Sequence, residues 1–212
     1  MKLKVVVPHA RRVAQVLLLL TGIICLGIYS YSYLYRIAFQ FYEGWRFDHE
    51  TEEAAPAPAQ KPSARPVVLP DPDRSAPRTP TSLSASVIGR ISIPRLHLSA
   101  IVEEGVDATT LSRAVGHIPG TALPGEPGNI GIAGHRDTFF RSLKDLQPQD
   151  KIDFTTHAGR FHYFVESLTV VEPTDISVLN SNKGQALTIV TCFPFEYIGN
   201  APRRFIVHAL PL

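Results

Sequence analysis

Apolar residues are laid out along this chain in two unlike ways. Residues 13–34 form an almost unbroken uncharged run, whereas after residue 86 apolar positions come in short clusters separated by Gly, Pro and charged residues. About 22 residues at about 1.5 Å each match the roughly 30 Å hydrocarbon core of a bilayer, so the first pattern predicts one transmembrane helix. The second predicts many short strands. Residues 87–94 and 96–102 read as strands broken at Pro94, and 129–134 as a strand that ends at His135. Residues 151–155, 159–171, 186–192 and 204–210 read as further strands. Residues 108–115 are the best short helix, ended by Gly116; 119–128 is a Pro/Gly-rich loop and 139–146 a helical turn. Little helix and many turn-bounded strands predict an all-β fold, a small closed barrel with short helices behind one N-terminal transmembrane helix.

Charge orients that helix. Lys2, Lys4, Arg11 and Arg12 precede it with no acidic residue among them, which makes 1–12 a cytoplasmic basic tail and puts the rest of the chain outside the cell membrane. Tyr29, Tyr31, Tyr33 and Tyr35 crowd the far end, where amphipathic rings favour the membrane–water boundary, so the anchor is drawn at 13–35. A cleaved signal peptide would have a shorter apolar region followed by small residues; here the run leads into tyrosines and Arg36. Cys25 then lies in the bilayer and cannot pair with Cys192.

Residues 36–82 are a juxtamembrane segment and a Pro-rich linker. The first part carries Phe39, Phe41, Tyr42 and Trp45 and predicts a helical extension resting at the interface. Residues 50–82 are dominated by Pro, Ala and small or charged residues, too poor in apolar surface to fold alone. At about 3.1 Å per residue such a spacer reaches on the order of 100 Å from the membrane. The folded domain occupies 83–212. Its charges are near balance and form no basic stripe, which argues against nucleic acid as a partner.

The chemistry centres on Cys192, the one cysteine outside the membrane run. A lone thiol in an exported domain has no disulfide partner. It is usually a small buried hydrophobe, but at the end of a strand it is also a candidate nucleophile. A free cysteine has a pKa near 8.5, so only a few per cent is ionised at neutral pH and a nearby cation raises that share. His135, after Gly134 at a strand end, and Arg204, opening the last strand, are the residues to place beside it. Residues 188–192 and 204–208 are expected to pair as neighbours, which brings a permanent cation to the thiol, able to stabilise an oxyanion. Spacing alone leaves catalysis and an inert cysteine both open.

Asn129-Ile-Gly-Ile-Ala-Gly-His135-Arg, then Thr191-Cys192, then Arg203-Arg204-Phe-Ile-Val, in this order behind one membrane anchor, resembles the sortase family. The likeness covers nearly all of residues 87–212, and the closing Thr-Cys-Phe-Pro-Phe-Glu-Tyr-Ile-Gly-Asn-Ala-Pro-Arg-Arg-Phe is most like class D. The resemblance implies an eight-stranded sortase-type barrel and a cysteine transpeptidase that needs no cofactor. By it, Cys192 attacks a Leu-Pro-x-Thr-type sorting signal at the C-terminal end of an exported protein. His135 serves as general acid and then base, and Arg204 stabilises the oxyanion or positions substrate. An amine of the cell envelope or of a pilin-like subunit then takes the acyl group. Thr191 is expected to help shape the site, and Arg203 is the neighbouring candidate for the cation. Asp137 either orients His135 or belongs to a surface turn; His117 either nears the cleft or packs. No metal is expected, since His-Glu-x-x-His, Cys-x-x-Cys and a calcium loop are all absent. A cysteine peptidase using water, or a tethered binding module with an inert thiol, are the competing functions.

Overall fold

The computed structural model describes residues 7–53, 87–180 and 184–212. The apolar run is one uninterrupted α-helix, α1 (Val7–Glu53), longer than the run itself. Within it lies a segment of mean hydropathy 2.1, long and apolar enough by composition to cross a membrane. Residues 54–86, most of the expected linker, lie outside the described residues.

Eight strands close into a barrel in the order β1-β2-β3-β4-β7-β8-β6-β5. They are β1 (Val87–Ile93), β2 (Leu98–Glu104), β3 (Val115–His117), β4 (Asn129–Ala133), β5 (Lys151–Thr156), β6 (Gly159–Val171), β7 (Ala186–Phe193) and β8 (Arg203–Pro211). Pro94 opens a 3-10 turn between β1 and β2, where no ladder donor is needed. The expected helical turn is a 3-10 turn at Arg141–Asp145. Alternation along β1 and β5 points every second side chain inward, so Ile91, Ile93, Ile152 and Phe154 fill the core at essentially zero exposure.

One expectation is corrected. The short helix α2 spans Ala108–Arg113, capped by Asp107, whose carboxylate accepts from the Thr109 and Thr110 amides. Val115, assigned to that helix from sequence, instead begins β3, parallel to β2 and antiparallel to β4. Gly116 does not cap a helix; it permits a close approach, since a Cβ there would lie 2.2 Å from the Gly105 carbonyl oxygen. Three residues are too few for strand periodicity to register, and only the neighbours on both sides define the strand.

The strands β4 and β7 pair in parallel and are buried along most of their length on both faces. That explains their near-continuous apolar sequences, Ile130 and Ile132 against Leu187 and Ile189. Thr188, fully buried, donates to Asn129 Oδ1 at 2.9 Å and ties their early ends together. The opposite, C-terminal ends of this pair carry His135 and Cys192.

The far part of α1 packs on the barrel across β2, β1 and the β5–β6 turn. Gln40 makes two bonds at once: its amide donates to Arg113 O (2.7 Å) and its oxygen accepts from Ile101 N (2.9 Å). Arg90 donates to Asp48 Oδ1 and to Gly44 O, both at 2.7 Å. Phe47 is 2% exposed and lies 4.8 Å, centroid to centroid, from His157. Contact therefore begins only a few residues beyond the apolar run. The described part of the expected juxtamembrane segment is thus helical and in contact with the barrel.

Candidate active site

The ladder between β7 and β8 brings the first two candidates together. Cys192 and Arg204 are direct cross-strand partners, as expected for adjacent antiparallel segments. The thiol is free and half-buried. His135 arrives from the neighbouring strand, two residues past the end of β4, whose last pair is Ala133 with Val190. Two bonds hold that end in place. Gly134 N donates to Val190 O (3.2 Å), and the buried Thr191 hydroxyl donates to Gly134 O (2.7 Å). Thr191 thus fastens the residue before the imidazole to the residue before the thiol.

Gly134 is required by packing. A Cβ there would sit 2.7 Å from Cε2 of Phe140, a fully buried ring whose amide donates to His135 O (3.1 Å). Behind the nucleophile, Phe193, Phe195 and Phe205 form an aromatic cluster, with Phe195 and Phe205 centroids 5.2 Å apart.

Together these elements enclose a cleft of about 340 Å³, lined by His135, Arg136, Asp137, Cys192 and Arg204, and closed by residues 199–201. A larger hollow of about 690 Å³ lies at the β5–β6 hairpin and the far end of β8, but it holds no thiol. Chemistry, not size, selects the smaller one. Among the described residues no group of three or more His, Cys, Asp or Glu side chains could hold a metal ion.

The supporting candidates separate cleanly. Alternation along β8 sends Arg203 away from the cleft, toward Glu172 (Nε to Oε1 3.6 Å), while Arg204 lines it. Arg204 Nη1 donates to the carbonyls of Ala201 (3.3 Å) and Arg203 (3.1 Å), which leaves its other donors for a ligand. Asp137 lines the cleft, but no hydrogen bond joins it to His135. His117 packs: it is 2% exposed, with Nδ1 2.7 Å from Glu104 Oε2 and Nε2 3.0 Å from the Ala122 carbonyl.

Sequence reasoning passed over Arg136. Its Nη2 donates to Tyr197 O (2.5 Å) and Gly199 O (2.9 Å), and its guanidinium lies over the Tyr197 ring. Its Nη1 is buried with no partner. The β7–β8 loop is therefore pinned at one end by Arg136 and at the other by Arg204. The only signal was adjacency to His135; that the loop folds back onto this turn is not written in any local pattern.

A closed barrel that gathers a free thiol, an imidazole and a guanidinium on one rim has the make-up of a cysteine-nucleophile enzyme. The family model for the sortase domain matches residues 91–212, and the chain belongs to the sortase family. Sortase D of Bacillus subtilis (strain 168) is 35% identical over 121 residues, which cover 57% of this chain and 61% of that protein. A Clostridium perfringens Sortase D5 transpeptidase superposes with a TM-score of 0.55 at 35% identity, covering 59% of this chain and 79% of that one. Sortase C-1 from Actinomyces oris gives 0.55 at 30% identity, covering 58% and 72%. The chain thus spans about three fifths of the curated Sortase D it matches.

Proposed function

We propose that this chain is a membrane-anchored cysteine transpeptidase acting on exported proteins that carry a Leu-Pro-x-Thr-type sorting signal. The observation that carries the reading is the convergence of Cys192, its cross-strand partner Arg204 and His135 on one cleft. Sγ of Cys192, as thiolate, attacks the carbonyl carbon that follows the Thr side chain. The C–O π pair moves to oxygen, where the free donors of Arg204 meet the developing charge. The pair then returns, the C–N bond breaks, and His135 gives its proton to the leaving amine. A thioester joins substrate to Cys192. An envelope or pilin-like amine attacks the same carbon, His135 takes the amine's proton, and the C–S bond breaks to regenerate the thiolate. Thr191 keeps the acid–base turn in register with the nucleophile, and Asp137 lies near enough to the cleft to meet the acceptor.

The anchor reading rests on the apolar part of α1, with the basic N-terminal tail in the cytoplasm and the barrel outside. The test is mass spectrometry of the full chain in detergent, incubated with a Leu-Pro-x-Thr-x peptide library and mixed amines beside Cys192→Ala. A new amide, absent from the variant, is the expected product. Hydrolysed peptide alone would make it a peptidase. No product, with Cys192 slow to alkylate, would leave a tethered binding module.

A further inference from the structure

Beyond the apolar run, α1 has two contrasting faces. Gln40, Glu43, Gly44, Phe47 and Asp48, spaced i, i+3, i+4, i+7 and i+8, share the face that meets the barrel. Leu34, Ala38, Phe41, Tyr42 and Trp45, spaced i, i+4, i+7, i+8 and i+11, share the opposite face, and no charged residue interrupts them. Phe41 is 76% exposed, Tyr42 57% and Trp45 52%, so three large rings face away from the barrel on one stripe, Tyr42 beside the Arg46 guanidinium and Trp45 against the His49 ring of the same helix. Single exposed apolar side chains are ordinary, but a contiguous aromatic stripe signals a binding surface.

We propose that this stripe binds the lipid headgroup region, so that the end of α1 lies between the bilayer and the barrel and holds the barrel on the membrane surface. This rests on reading the preceding segment as the membrane span. Three observations select lipid over a protein partner. The stripe continues without a break from that segment on the same helix. Its residues are the ring types that favour the interface, an apolar body with, in Tyr and Trp, a polar edge. The distances also agree. Phe41 and Tyr42 lie seven and eight residues past Leu34, about 10–12 Å along the axis. Helical side chains point back toward the N-terminus, here toward the bilayer. With a tilt of about 20–30° toward this face, the rings enter the headgroup layer, with Trp45 at its outer margin. The barrel, bound through the other face by Gln40 and Arg90, then sits above the helix.

Trp45 is the only tryptophan in the chain and reports on the stripe directly. The full chain is reconstituted into phosphatidylglycerol/phosphatidylcholine vesicles, and its fluorescence is followed with a headgroup-spin-labelled lipid and with aqueous acrylamide. The expected result is quenching by the labelled lipid, reduced access to acrylamide, and a clear rise in acrylamide access for Phe41→Ser/Tyr42→Ser. Full acrylamide access without lipid quenching, in protein that floats with the vesicles and resists alkaline extraction, would overturn the proposal while leaving the anchor intact. Protection that appears only at high protein-to-lipid ratio would assign the stripe to a second copy and overturn it as well. Protein that fails to float would instead sink the anchor reading on which the proposal rests.

Discussion

The helix-bearing side of the barrel and its cleft handle polar groups in opposite ways. Around α1 and β2 most charges meet a partner, although the buried Glu43 carboxylate has only the Arg46 ion pair at Oε2 and no hydrogen bond there. Arg90 meets Asp48, Arg113 meets the buried Glu103 (Nε to Oε2 2.9 Å), and Gln40 satisfies a backbone donor and acceptor together. At the cleft, the exposed His135 and Asp137 and the half-buried Cys192 make no side-chain hydrogen bond within the protein, and Arg136 keeps one buried nitrogen unpaired. Buried or convergent polar groups are normally satisfied, because an unmade bond costs about 1–3 kcal/mol. The contrast sets a side whose polar groups are mostly held within the protein against one whose groups face an open cleft.

Substitutions at the cleft should therefore remove activity while sparing the fold. Arg204→Ala is expected to lower the rate of thioester formation by on the order of 10²–10³, the usual cost of an oxyanion donor, with an unchanged melting temperature. Stopped-flow acylation beside calorimetry decides it; a large loss of stability would mean that Arg204 is a structural cation and would dissolve the contrast. Thr191→Val lies on the boundary between the two behaviours. It leaves the buried Gly134 carbonyl unsatisfied, so a destabilisation of about 1–3 kcal/mol is expected together with slower turnover, read from urea unfolding and peptide cleavage.

Arg136→Ala sharpens the comparison further. Loss of the two carbonyl bonds should free the loop at Tyr197 and Gly199, with faster amide exchange there and intact exchange in β1 and β2. Exchange that rises across the whole barrel would show that the loop belongs to the structural side.

The smallest expected effect is on pH. The Arg95 guanidinium, bonded through Nε and Nη2 to Asp150, holds that carboxyl below the usual carboxylate range. A lowered folded value means the contribution is complete above the unfolded carboxylate value and is lost as pH falls through the folded one. The stability gap between wild type and Arg95→Ala should thus be widest at neutral pH and close in acid. A gap that stays constant in acid denaturation would remove the ion pair from the stabilising side. His208, kept below the ordinary imidazole value chiefly by burial, has the same sign at higher pH, its contribution fading as pH falls below the unfolded imidazole value.

Local pattern carried most of the strands. The Pro94 break, the long β6 and the pairing of β7 with β8 follow from alternation, turn residues and a short connecting loop. The preference for Arg204 over Arg203 came from the family resemblance; the strand register then sets Arg204 against Cys192, and two residues in succession on a strand face opposite ways. The β3 strand was illegible because Val115–His117 has no period of its own; it exists through Val102 on one side and Ile132 on the other. His117 carried the same ambiguity until Glu104 and the Ala122 carbonyl closed around its ring.

What the sequence by itself determined were the properties that reside in a single stretch: an apolar run long enough to span a bilayer, strand-forming clusters, and a lone thiol with its imidazole and guanidinium in family order. What only the tertiary structure decided were relations between stretches remote in the chain. Gln40 docking on Ile101 and Arg113, Arg136 pinning the loop after Cys192, and the exclusion of His117 from the cleft each depend on closure of the barrel. Hydrophobic periodicity fixes which face of an element is buried, but not which distant polar group it will meet there; that is set when the strands pair and bring those groups within bonding distance.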